Sequence, residues 1–486
     1  MVFGVETEYG FSVEGRGAEH QVEDAQEFVR AYPGECFVGW DYRQESPRRD
    51  LRGFTVSHLA QDPVDAQFET APLSSPHEVR SDRVLPSGAR FYNDHGHPEF
   101  ASPECHSVQE LVMHDLAGED VLRMAANAYQ ASVKRRVRVY KNNTDYHGAS
   151  YGTHESYLVP RRLAFDELYS AVMPMLVARQ VLTGAGKVGA ESGAACDFQI
   201  SQRADFITES ANVETLFRRP LFNTRDEPHG IDRQWIRLHV ICGDANMMPQ
   251  CTARKATLMS LTLRLAEQGK APKWEVHDPV ASFKAVSRDL RGEGRIELKG
   301  GNWTTPRNVI ESVLNAADEA FDDEESKNGI CEAMNLLDWR RGQPDLFRRH
   351  VDWAAKHWLL GEYRDMQGLA WKDAAMQALC LEYHSLDEDE GLYFGLLAAE
   401  EVAERPLREE IVKRLNGQVE PTRGLVRALA VSRFREYVAS MSWSSITWKV
   451  GTRQIETKLD PGARFDPALA DVESVEQFIN CLTKSS

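Results

Sequence analysis

VFGVETEYGFSV (2–13) and GARFYNDHG (88–96) contain the two runs that decide the reading, Glu6-Thr7-Glu8 and Arg90-Phe91-Tyr92-Asn93-Asp94. In an extended strand every second side chain shares a face, and successive same-face positions lie roughly 6.6 Å apart. Glu6 and Glu8 then point the same way, and so do Arg90, Tyr92 and Asp94. Hard oxygen donors at that spacing suit Mg²⁺, which takes carboxylates together with substrate phosphates. One such segment is most simply an edge strand with a polar outer face. Two of them, each with oxygen donors and one with an arginine, favour a nucleotide–metal site in which both strands lie side by side and aim their acids into a common pocket.

A chain of 486 residues can form two or three domains, or one large α/β domain with an appendage. Its 42% hydrophobic and 9% aromatic content supports a sizeable core and argues against disorder. The net charge of −17 argues against a general nucleic-acid binder, which needs a basic surface to displace counterions. No run of about 18 apolar residues occurs, and charged sequence follows Met1-Val2-Phe3-Gly4 closely. Neither a membrane span nor a secretory leader is expected. The eight cysteines contain no C-x-x-C pair and suit reduced thiols in a cytoplasmic protein.

Residues 2–13 read as a strand with Gly10 a bulge position, and 20–32 as a helix. The stretch from Trp40 to Gly88 is long and poor in regular pattern, with prolines at 47, 63, 72, 76 and 86. Connections of that kind are usually lids, binding loops or disordered segments; the aromatic and arginine content favours a lid. Residues 107–132 read as a helix, with Ser107 at the N-cap and Glu110 completing a capping-box signature. Strands are predicted at 137–141, 196–201, 236–242 and 442–450. Helices are predicted from Pro174 to Gly184, with proline in the first turn and glycine as the stop, and at 253–268, much of 305–415, and 422–440.

Two motifs fail on inspection. Gly184-Ala185-Gly186-Lys187-Val188-Gly189 fits G-x-G-x-x-G, but the segment before it reads as helix rather than strand, so a dinucleotide site is disfavoured. His95-Gly96-His97 resembles a metal-binding pair, but two histidines need at least one more ligand.

Other clusters combine polar groups suited to a ligand. YKNNTDYHGASYGTHESY (140–157) surrounds His154-Glu155 with Asn and Gly. ISQRADF (200–206) and RRPLFNTRDEPH (218–229) carry arginines, whose planar forks match phosphate oxygens. In RLHVICGDAN (237–246) Arg237 and His239 share a strand face. Trp443 is either an adenine-stacking ring or core.

Taken together, GVETEYG, GARFYNDHGHPEFASPE, YKNNTDYHGASYGTHESY, ISQRADF, RRPLFNTRDEPH and RLHVICGDAN resemble the Pup ligase/Pup deamidase family of carboxylate-amine ligase-like enzymes. The resemblance is dense from residue 3 to about 246, thin from 260 to 420, and stronger again at Pro421-Thr422-Arg423 and Trp443. It implies an α+β glutamine-synthetase-type fold, with a catalytic domain over 1–415, a lid-like loop at 40–88 and a small C-terminal domain over 416–486. It implies that Glu6, Tyr92 and Glu99 bind magnesium, with Glu8, His154 and His239 as further metal-site residues. Arg90, Ser102 and Trp443 match nucleotide positions, Arg203 and Arg225 are expected at phosphate, and Asp94 matches the catalytic aspartate. Ser102 stands where the ligases have threonine.

WDYRQESPRRDLRGF (40–54) and the short Asp94-to-Glu99 spacing resemble the deamidase/depupylase branch. The implied activity is hydrolysis: of a C-terminal glutamine amide on a Pup-type small protein modifier, and of the isopeptide bond to a target lysine. ATP, or ADP with phosphate, and Mg²⁺ are the implied cofactors, and a monomer is favoured. The Met-Met-Pro-Gln-Cys run at 247–251 departs from the family's Ser/Thr-rich continuation. The competing expectations are ligation at the same site, a modifier-binding adaptor without catalysis, and metal-only amide hydrolysis at His95 and His97.

Overall fold

The computed structural model of this chain describes every residue except 44, 46, 60–79, 147, 194, 228–233, 293 and 485–486. Among the described residues, twelve strands precede residue 244. They are β1 (Phe3–Glu8), β2 (Gly10–Val13), β3 (Arg83–Val84), β4 (Arg90–Asp94), β5 (His97–Ala101), β6 (Val137–Tyr140), β7 (Thr153–Pro160), β8 (Lys187–Val188), β9 (Phe198–Gln199), β10 (Ile207–Asn212), β11 (Arg219–Asn223) and β12 (Trp235–Gly243). Eight of them form one sheet in the order β10-β11-β12-β7-β1-β5-β4-β3. Every neighbouring pair is antiparallel except β10–β11.

Burial alternates strictly along β7, as a sheet with one polar and one apolar face requires. On the apolar face Val5, Tyr157, Val159, Leu238 and Val240 pack with residues of the helices Phe165–Ala178 and Pro249–Glu267. Phe91 and Phe100 share a second cluster with the helices Gln21–Arg30 and Val108–Val133. Gly118 of the latter lets Phe100 approach: a Cβ there would lie 2.5 Å from the ring. The architecture is the α+β arrangement expected from the sequence. Among the described residues no helix is long and apolar enough to cross a membrane.

The C-terminal strands Val438–Met441, Ser445–Val450 and Arg453–Lys458 form a separate antiparallel sheet. Its Trp448 packs with Phe478 of the helix Val475–Lys484, in a cluster that also takes in Trp40, Tyr92, Ala101 and Trp443. The C-terminal segment is thereby seated on the polar face of the large sheet.

The connection after Trp40 is tied down where it is described; its middle, with Pro63, Pro72 and Pro76, lies outside the described residues. Trp40 bridges Met441, and Asp50 and Val56 donate backbone bonds to Phe54 and Arg48, forming a small hairpin. That hairpin docks at the end of β11 through Leu51 N to Thr224 O at 2.7 Å and Asp226 N to Arg49 O at 2.8 Å.

Several local expectations need correction. Pro174 does not start a helix but sits inside Phe165–Ala178; it removes one backbone donor, and the buried neighbours Val172, Met173, Met175 and Leu176 hold the helix through it. A further helical turn, Gln180–Thr183, ends at Gly184. The strand predicted at 196–201 shrinks to β9. The helix predicted at 422–440 stops at Arg433, and residues 438–441 pair as a strand. Ser107 Oγ does accept from Glu110 N, at 3.2 Å, but the Glu110 carboxylate pairs with Arg414 instead of returning to the cap.

Candidate active site

The strands carrying Glu6 and Tyr92 are not adjacent, as the sequence reading had them: β5 lies between β1 and β4. Its Glu99 completes the site. Glu8 lies opposite Glu99 across β1–β5, and Glu99 opposite Tyr92 across β5–β4. Directly opposed residues project side by side from one face. One oxygen from each of Glu8, Asp94 and Glu99 lies within 4.8 Å of the others. Tyr92 Oη donates to Glu99 Oε1 at 2.6 Å, and the Gly152 N–H donates to Glu8 Oε2. Burial pushes the carboxyl pKa of Glu8 and Glu99 upward, and the nearby Asp94 charge adds to both shifts. Acids crowded in this way are relieved by a divalent cation among them. An all-oxygen set of this kind fits Mg²⁺.

Glu6, His154 and His239 form a second group, also within 4.8 Å. Glu6 is paired with His154 across β1–β7. Its Oε2 lies 3.6 Å from His154 Nδ1 and 3.9 Å from His239 Nε2. Oε1 accepts from Arg237 at 2.5 Å, and Arg237 Nε donates to Ser156 Oγ at 3.0 Å. The sequence reading placed all these residues around magnesium; in the structure they form two donor groups.

Asp94 closes β4. Arg80 lies 2.8 Å from its Oδ1 and His95 Nδ1 lies 3.2 Å from its Oδ2. Burial alone would raise the Asp94 pKa, but the charges of His95 and Arg80 outweigh it and hold the carboxyl well below the usual range. The same proximity to Asp94 raises His95. His97 faces elsewhere and stacks on Tyr151 with ring centroids 4.4 Å apart. Among the described residues neither histidine belongs to a metal-donor group, so the H-x-H pair does not form a site.

A pocket opens beside Glu6, lined by Gly4, Ser102, Arg237, Arg423 and Trp443 among others. Trp443 meets Trp40 edge-on at 5.0 Å. Arg423 reaches the pocket from the helix Arg423–Arg433 with its Nε on Glu104 at 2.5 Å, while its buried Nη1 makes no hydrogen bond. An unmatched buried guanidinium nitrogen suits an anionic ligand.

Four residues expected at the nucleotide or its phosphates are engaged within the protein. Arg90 is buried between Trp40 and Tyr92, 4.2 and 3.9 Å from the ring centroids, and pairs with Asp82. Ser102 Oγ accepts from Val5 N at 3.0 Å and donates to Pro103 O at 2.9 Å. Arg203 donates to Ser150 Oγ, Tyr151 O and Ile241 O, and burial lowers its pKa to about 10. Arg225 reaches Thr215 Oγ1 at 3.0 Å and Glu227 at 3.3 Å. Asp244 and Asn246 do structural work: Asp244 accepts from Ser201 Oγ and Ala185 N, and Asn246 donates to Thr183 O and Asp352.

Sequence reasoning missed Arg80 and Gly152. Arg80 ends the stretch with least pattern and gave no signal. Gly152 was noted only as one of several loop glycines, yet a Cβ there would lie 1.9 Å from His154 Nε2.

The family model described as Pup-ligase protein matches residues 1–447. A Pup deamidase/depupylase of Mycolicibacterium smegmatis is 33% identical over 99% of this chain and 99% of its own length. A Pup–protein ligase of Nocardioides sp. is 33% identical, over 82% of this chain and 90% of its own. Among solved structures, the Pup ligase PafA in complex with Pup superposes with a TM-score of 0.79 at 25% identity, covering all of this chain and 93% of PafA. PafA in complex with ADP gives 0.74 at 26% identity, over 89% and 96%. With a family model matched over residues 1–447 and a relative 33% identical over 99% of its length, this chain belongs to the Pup-ligase family.

Proposed function

We propose that this chain is an amide and isopeptide hydrolase acting on a Pup-type modifier. It converts the modifier's C-terminal glutamine to glutamate and cleaves the bond between that glutamate and a target lysine. The observation that carries the reading is Asp94: an ionised carboxylate, gripped by Arg80 and His95, at the end of an oxygen-donor row. The choice of hydrolase over ligase rests on the connection after Trp40, docked against Thr224 and Asp226. The longer match to the depupylase relative, 99% of the chain against 82% for the ligase, supports it.

The solved relative with ADP suggests a nucleotide in the pocket beside Trp443, its ring on the base and Arg423 and Arg237 toward phosphates. Glu8, Glu99 and Tyr92 would hold Mg²⁺, which supplies charge neutralisation for phosphate and a developing oxyanion. The low pKa of Asp94 makes it a weak base near neutral pH and favours nucleophilic attack on the carbonyl carbon. The carboxylate oxygen bonds to that carbon, the C–N bond breaks as the nitrogen takes a proton from solvent and leaves as ammonia or the lysine amine, and water then opens the resulting anhydride to the Asp94 carboxylate and the modifier's glutamate, its protons passing to solvent. Arg80 steadies Asp94 through both steps.

Mass spectrometry of a glutamine-ended modifier, with and without ATP and Mg²⁺, tests the proposal. Amide-to-acid conversion is expected only with both present. Asp94→Asn should abolish conversion and keep nucleotide binding. With a lysine acceptor present, conjugate formation with stoichiometric ADP release would establish ligation instead.

A further inference from the structure

We infer that His95 is a catalytic acid that relays the solvent proton to the leaving nitrogen: its Nδ1 donates as the C–N bond breaks and recovers a proton from the water that opens the anhydride. The inference rests on the reading of Asp94 as a nucleophile toward an amide carbonyl. It gives a task to the member of the H-x-H pair that touches Asp94.

Turn chemistry does not account for an imidazole at this position. His95 and Gly96 are the two residues that join β4 to β5, with Asp94 opposite His97 in register, and both have positive φ, 47° and 87°. Two-residue turns with that backbone favour Asn-Gly or Gly-Gly, and a non-glycine residue held there carries strain. The turn is pinned from two sides. Gly96 N donates to Asn93 Oδ1 at 3.1 Å, and Gln21 Nε2 donates to Gly96 O at 2.9 Å. What the strained residue supplies is a fixed ring, with Nδ1 3.2 Å from Asp94 Oδ2 and 39% of its side chain exposed. It meets the nucleophile and also the solvent into which an amine departs.

The order of events follows from charge. Ionised Asp94 beside the ring favours the imidazolium and keeps a proton on Nδ1; Arg80 opposes this and Glu8 adds to it. When the carboxylate oxygen bonds to the carbonyl carbon, the Asp94 charge is lost and its hold on that proton weakens. The nitrogen on the same carbon is then the nearest base. The C–N bond breaks, its electron pair takes the Nδ1 proton, and ammonia or the lysine amine leaves. Water next attacks the anhydride carbonyl and gives one proton to Nδ1 as the C–O bond to Asp94 breaks. Its second proton passes to solvent.

Single-turnover reactions of full-length protein with ATP and Mg²⁺ on two forms of the modifier test the assignment. One ends in the glutamine amide, whose nitrogen must be protonated to leave. The other carries a thioester at the same carbonyl, whose thiolate leaves without a proton. His95→Asn keeps a residue suited to the left-handed turn. It should slow ammonia release by about 100- to 10,000-fold, and thiol release by less than about 10-fold. His95→Gly should behave alike, and added imidazole should restore its ammonia release, which a folding defect would not permit. Amide cleavage unaffected by His95→Asn, or equal losses on the two substrates, would overturn the inference. Unaltered protein that cleaves the thioester and never the amide would instead fault the hydrolase reading beneath it.

Discussion

Gly152→Ala separates the two donor groups with one methyl. The new Cβ would lie 1.9 Å from His154 Nε2 and 2.5 Å from Cδ2. Ordinary carbon contacts lie near 3.5 Å, so the ring must retreat by roughly 1.5 Å. Gly152 does not adopt a positive φ, so the backbone accepts alanine and the side-chain clash is the whole perturbation. The Gly152 N–H to Glu8 Oε2 bond involves only the main chain and survives. Overpacking of this kind costs about 1–3 kcal/mol of stability. His154 lies within donor distance of Glu6 and His239, so displacing it should lower divalent-metal affinity by roughly 10- to 100-fold. Denaturant unfolding gives the first figure, and calorimetric titration of metal-free protein with Mg²⁺ the second. Unaltered metal affinity in a folded Gly152→Ala protein would refute the packing argument.

Trp443→Ala should weaken ATP binding by about 1–3 kcal/mol, the worth of one base on an aromatic ring, and Trp443→Phe should recover part of it by calorimetry. Glu104→Gln leaves Arg423 and Arg427 buried without their shared carboxylate, whose pKa they hold down at about 2 against burial. A loss of roughly 3–5 kcal/mol is expected from urea unfolding. His114, 1% exposed, has its pKa lowered to about 3, by burial first and Arg414 second. The unfolded chain therefore binds the extra proton between about pH 6.5 and 3, and stability falls across that window as pH drops, by up to about 1.4 kcal/mol per unit. His114→Gln should flatten the slope.

The fold was legible where a residue's surroundings follow from its near neighbours. Alternation along 2–13 marks a sheet with one buried face, because burial itself has period two; β7 alternates as strictly, yet no strand is predicted there. Ser107 and Glu110 mark a helix start because the cap bond is local. Pro174 misled because the forces that hold its helix together come from contacts distant in sequence. The site divides along the same line. The same-face grouping of Tyr92 and Asp94 is a strand property, but the pairing of Glu8 with Glu99 is a register that only the assembled sheet fixes. Arg203 shows in one dimension only a fork suited to phosphate; that it also donates to Ser150 Oγ, Tyr151 O and Ile241 O follows from the assembled fold. Arg80 has no periodic signal, since only the return of a long connection brings it to Asp94.

The walls of the pocket come from opposite ends of the chain: Gly4, Glu6 and Ser102 on one side, Arg423, Trp443 and Pro461 on the other. The clasp between them, Glu104 to Arg423, spans 319 positions. The pocket exists only once these distant segments have met, so a ligand bound there stabilises the assembled fold as a whole.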